Sequence, residues 1–196
     1  MICVSYDIYL VDPVTSQTLE LDTAHDLRGG TYAVGGTRDC WLNITYNYAH
    51  YYYEATDGDP RFAHDEVPAY YPDGTTGPVE TEYGIRGLYG KTGAESIPML
   101  TDMIRRIEEK YKENGEWIET VRHRREYRDS DTGQKLTFVD ILRRPATDYF
   151  INEYDEMISE GPNDDYWEDT AANAISPLYK LLAMAMLRPD GVWSGD

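Results

Sequence analysis

Ile97, Leu100, Ile104, Ile107 and Tyr111 recur at spacings of 3, 4, 3 and 4, a period that only an α-helix places on one face. A helix with a single apolar stripe has to bury it, so the chain must supply a second apolar surface. Thr92 and Glu95 have capping-box spacing, with Ser96 an alternative cap, so the helix starts near residues 92–96 and covers 97–112. A second stripe, Ala171, Ile175, Leu178, Leu182 and Ala185, marks a helix over 170–187. Pro177 should kink or break it, and Arg188-Pro189-Asp190-Gly191 stops it.

The partner surface reads as β. Cys3 to Val11 alternates, Asp12 to Ser16 supplies turn chemistry and Thr18 to Leu21 resumes the pattern, which predicts a hairpin. Thr31 to Val34 reads as a short β-like segment, Cys40 to Thr45 as a strand, Asn47 to Ala55 as a tyrosine-rich helix, and Val192-Trp193 as a small returning strand. Tyr149 to Ile158 reads as a short acidic helix closed by Gly161-Pro162. The expected class is α+β: a small antiparallel sheet with the helices at 97–112 and 170–187 packed on one face. At 196 residues this is a single domain. Residues 57–82, rich in proline, glycine and acids, read as an irregular insertion. Residues 117–142 read as an added hairpin around Asp129 to Gly133.

The net charge of −18 narrows the partners. Residues 103–145 hold 11 of the 18 Lys/Arg against 9 acids, which leaves 7 bases against 27 acids elsewhere. Such a surface repels nucleic acid and anionic membrane, and it attracts basic proteins at long range. With 41% hydrophobic residues the chain is too apolar for a disordered acidic tail. The N-terminus lacks the pattern of a signal peptide and no apolar run spans a bilayer, so the expected location is cytoplasmic. Cys3 and Cys40 read as reduced core thiols, and the Asn43-Ile44-Thr45 sequon as a chance match.

No motif names a reaction. Gly90-Lys91-Thr92 precedes a helix, but Ile85 stands where a phosphate-binding loop needs its first glycine. Asp129-x-Asp131-x-Gly133 opens like a calcium loop, yet lacks Gly at the sixth position and Glu at the twelfth. His25, His50, His64 and His123 are dispersed. No catalytic, cofactor-binding or metal-binding residue is therefore assigned. The residues expected to meet a partner are the carboxylates Asp57, Asp59, Asp65, Glu66, Glu153, Asp155, Glu156, Asp164, Asp165 and Glu168, and the tyrosines Tyr51, Tyr52 and Tyr53.

Several stretches resemble a family of small uncharacterised bacteriophage and prophage proteins. They are Tyr6-Asp7-Ile8-Tyr9-Leu10, Leu42 to Tyr48, Gly90-Lys91-Thr92-Gly93-Ala94-Glu95 ahead of a helix, and Trp167 with Asn173 before Arg188 to Trp193. The resemblance implies a setting rather than a mechanism. In that setting the acidity suggests stoichiometric binding to a basic protein surface, such as that of a CRISPR effector whose channels hold nucleic acid. One alternative is a small-ligand protein or enzyme built on the glycine-rich turns 29–36 and 90–93; another is a virion structural or assembly component.

Overall fold

The computed structural model describes residues 5–25, 37–72, 74–113, 124–129, 131–141, 146–151, 157–158 and 169–196. Its centre is an antiparallel sheet of three strands, β1 (Ser5–Val11), β4 (Trp41–Thr45) and β11 (Val192–Gly195), in the order β11-β1-β4. Alternation along β1 turns Tyr6, Ile8 and Leu10 inward, and the register sets Ile44, Leu42 and Trp193 beside them. All six are buried in one core. The opposite face carries Asp7, whose carboxylate accepts hydrogen bonds from Trp41 Nε1 at 3.1 Å and Asn43 Nδ2 at 2.8 Å. Asn43 is thus held inside the fold, 4% exposed, with its amide also donating to Ser5 Oγ at 2.9 Å.

Helix α1 (Ala49–Thr56) follows a single 3-10 turn over Tyr46–Tyr48. Helix α2 (Gly93–Glu113) begins with the expected capping box: Thr92 N and Oγ1 donate to Glu95 Oε2, and Glu95 N donates back to Thr92 Oγ1. Its stripe of Leu100, Ile104, Ile107 and Tyr111 is buried against the last helix, which runs Ala171–Leu187 and is capped by Thr170. That helix continues through Pro177 without a break, because neighbouring burial outweighs one missing backbone donor. Its buried face is set by Ile175, Leu178, Leu181 and Met184, whereas Leu182 is only partly buried. The α+β class and the two main helices are as the sequence predicts.

Three local expectations need correction. The turn after β1 forms, with Asp12 Oδ1 accepting from the N–H groups of Val14 and Thr15, but the hairpin ends at the single bridge Val11 to Thr18. Strand β2 (Glu20–His25) then pairs with β3 (Thr37–Asp39), since both edges of β1 are taken by β4 and β11. Of the residues expected to form an acidic helix, 149–151 belong instead to β9 (Ala146–Ile151) and 157–158 to β10 (Met157–Ile158), while 152–156 lie outside the described residues. Strand β9 lies between β10 and β7 (Arg124–Asp129), and pairing on both edges overrides the weak helical pattern. The hairpin around Asp129 to Gly133 is present, joining β7 to β8 (Lys135–Leu136), and Asp129 Oδ1 caps the turn rather than forming part of a calcium loop. A short helix, α3 (Phe138–Ile141), follows it. Leu136 and Val139 link this part of the chain to the main core.

Residues 57–82 are the third correction, because they are neither irregular nor wholly peripheral. Phe62 is fully buried, and Asp59 is 11% exposed in a clamp on α2. Arg61 grips the Asp59 carboxylate with Nε at 3.0 Å and Nη2 at 2.6 Å, and Arg106 adds a contact at 2.8 Å while also donating to the Ala55 carbonyl. These guanidinium contacts, Arg61 foremost, hold the Asp59 carboxyl well below the usual carboxylate range. A lowered folded-state value stabilises the fold above the unfolded pKa of about 4, and that gain is lost as pH falls towards the folded value. Asp59→Asn should therefore cost about 2 kcal/mol at neutral pH, the scale of hydrogen bonds to charged groups. Urea melts should show the gap narrowing below about pH 4; a gap constant with pH would contradict the clamp.

Candidate functional site

Beyond the clamp the chain leaves the core as a two-stranded ribbon, β5 (Asp65–Tyr70) and β6 (Thr76–Glu82), which forms a sheet of its own. The turn closes by Tyr71 N donating to the Thr75 carbonyl at 2.9 Å, and Gly74 has φ +83° there. Pairing Asp65 with Glu82 and Glu66 with Thr81 places Asp65, Glu80 and Glu82 on one face, and Glu66, Val79 and Thr81 on the other. These positions are exposed, Val79 at 62%. From Phe62 to Ile85 the sequence has no Lys or Arg. The ribbon therefore carries carboxylates on both faces, with an aliphatic side chain beside them.

At the root of the ribbon, His64 N donates to the Glu82 carbonyl at 3.0 Å, which sets the first rung. The imidazole lies 3.1 Å from the Tyr83 carbonyl through Nε2 and 3.1 Å from Asp65 Oδ2 through Nδ1. Gly84, at φ +136°, lets the Tyr53 ring pack where a Cβ would lie 2.8 Å from its carbons. His64, Asp65 and Glu82 each offer a ligand atom within 4.8 Å of the others. The sequence reading missed this group because His64 and Glu82 are 18 positions apart and meet only through the ladder. The period-2 pattern of Glu80 and Glu82 was the available signal.

The anticipated partner-facing residues divide sharply. Asp57, Asp65 and Glu66 are exposed. Asp59 is already engaged by two arginines, so it is removed from the candidate surface. Tyr51 and Tyr52 are 2% and 0% exposed and are core residues, not contact residues. The Tyr52 hydroxyl donates to the Ala174 carbonyl at 2.9 Å, and burial pushes its pKa well up. Only Tyr53, 42% exposed, keeps a partly open ring. Successive residues on a helix stand about 100° apart, so α1 buries Tyr51 and Tyr52 on one broad face and turns Tyr53, about 200° from Tyr51, towards its edge. Glu153, Asp155, Glu156, Asp164, Asp165 and Glu168 lie outside the described residues, as do residues 29–36.

The turn at 90–93 is spent on structure. Gly90 N donates to the Trp193 carbonyl, Lys91 N to Leu88, Thr92 N to Glu95, Gly93 N to Gly191 and Ala94 N to Pro189. A phosphate cradle needs those N–H groups directed at a ligand, so this loop serves to anchor the C-terminal strand. Cys40 is buried, and desolvation pushes its thiol up to about 12, as suits a packing residue rather than a nucleophile. Among the described residues no helix is long and apolar enough to cross a membrane.

No family model, curated protein or solved structure matches this chain.

Proposed function

We propose that this protein acts by stoichiometric protein binding, with the β5–β6 ribbon as an acidic docking element for a basic surface. The observation that carries this reading is the ribbon itself: an exposed two-stranded sheet with carboxylates on both faces and no Lys or Arg between Phe62 and Ile85. Cross-strand like charges destabilise an isolated hairpin, so Asp65 opposite Glu82 works against local stability. A basic partner would offset that repulsion. Basic channels that hold nucleic acid attract carboxylate rows through the same long-range field as phosphates. The partner class is thus a nucleic-acid-handling complex, with a CRISPR effector in a phage-infected cytoplasm as the specific case. The exposed Val79 and Tyr71 supply contact area, while the carboxylates supply steering.

Purified CRISPR effectors titrated with this chain should lose DNA binding at one equivalent, read by fluorescence anisotropy. Glu66→Lys with Glu80→Lys should remove that inhibition at unchanged thermal stability, because exposed charges usually shift stability by only about 0.5 kcal/mol. Inhibition that survives the double reversal would contradict docking through the ribbon. No inhibition of any effector would contradict the partner class.

A further inference from the structure

We infer that His64, Asp65 and Glu82 form a divalent-cation site at the root of the ribbon, of the class that takes zinc through one imidazole nitrogen and two carboxylates. The site goes beyond the docking reading and does not depend on it.

The hydrogen-bond pattern around His64 is the starting point. The Tyr83 carbonyl can only accept, so the ring proton belongs on Nε2, 3.1 Å away. In a neutral ring Nδ1 then presents a lone pair, and what it faces at 3.1 Å is another acceptor, Asp65 Oδ2. Either a proton on Nδ1 or a cation between the two groups makes that contact attractive. The His64 side chain is only 9% exposed, so water cannot readily separate the two groups. The Glu82 carboxylate is the third donor, and it sits directly across the ladder from Asp65. A proton on Nδ1 pairs His64 with Asp65 alone and leaves the exposed Glu82 to water, whereas a divalent ion engages all three ligand atoms.

The donor set also fits the ion chemically. Metal-binding histidines ordinarily donate their second ring N–H to a carbonyl or carboxylate, which fixes the tautomer and the ring plane; here Tyr83 does so. One nitrogen and two carboxylate oxygens suit zinc and exclude a site built for magnesium or calcium, which favour all-oxygen shells. The ligand atoms lie within 4.8 Å of one another, and donors around tetrahedral zinc stand about 3.3–3.6 Å apart, given bonds of ~2.0–2.2 Å. The Asp65 side chain is 63% exposed, so it can turn by the remaining distance without disturbing the core. Three protein ligands leave one coordination position open to water or to a group from outside.

The test is zinc chloride titrated into EDTA-stripped full-length protein, followed by calorimetry and by 15N NMR of the imidazoles. One equivalent should bind, the His64 Nδ1 resonance should move while Nε2 keeps its proton, and magnesium chloride should do neither. Asp65→Asn and Glu82→Gln change exposed side chains, so each should melt like the wild type in EDTA and bind zinc at least tenfold more weakly. The inference is overturned if both variants bind zinc as tightly as the wild type. It is equally overturned if the His64 ring is protonated on both nitrogens and does not respond to zinc, which would make the cluster an ordinary ion pair.

Discussion

Ile104→Asp is expected to leave no cooperatively folded protein. Ile104 is 4% exposed in the layer between α2 and the C-terminal helix, with Leu100, Ile107 and Leu178 buried in the same core. The stripe around it is apolar, and burying a charge there costs several kcal/mol on top of the lost apolar contacts. A domain of this size has only about 5–15 kcal/mol of stability to lose. Leu182→Asp is the internal control. Although it belongs to the stripe as read from sequence, Leu182 is only partly buried, so its charge can reach water and the variant should stay folded with a lowered melting temperature. Circular dichroism melts distinguish the two, and equal effects would mean that the helix packs through a different face.

Trp193→Ala should cost about 3–5 kcal/mol, the range for removing a large buried aromatic. Trp193 is 1% exposed, and its Nε1 donates to Ser96 Oγ at 2.7 Å, which in turn donates to the Gly93 carbonyl at 2.8 Å. The substitution therefore empties a large core volume and breaks the chain of hydrogen bonds that joins β11 to the start of α2. Trp193→Phe, which keeps most of the volume but loses the donor, should recover most of the loss. Urea midpoints for the two variants would separate packing from hydrogen bonding. Equal losses would place the effect in the hydrogen bond alone.

The helices were legible in the sequence because their signals are local. The stripe from Ile97 to Tyr111 and the Thr92 and Glu95 box both act within a few residues, and the fold uses each of them. Strand partners were harder, since β1 pairs with β11 from the far end of the chain, and no local pattern carries that information. Glycine placement tells the same story. At Gly87 an added Cβ would overlap the Phe62 backbone, so the glycine records a close approach that is visible only in three dimensions. The candidate surface was half legible. Asp65 and Glu66 were found by composition, but composition counts Asp59 equally with them, and only the fold shows that Arg61 and Arg106 have claimed it. The same limit hid Glu80, Glu82 and His64, whose relation depends on the register of β5 against β6.

The central claim is that exposed carboxylates on the β5–β6 ribbon steer this protein to a basic partner, and it is tested most directly by the rate of association. With an effector that the protein inhibits, the on-rate should fall at least tenfold between 0.05 and 0.5 M salt, on the order expected for steered encounters whose range shrinks with the Debye length. Glu66→Lys with Glu80→Lys should reproduce that fall at low salt. An on-rate that neither salt nor charge reversal changes would contradict the claim.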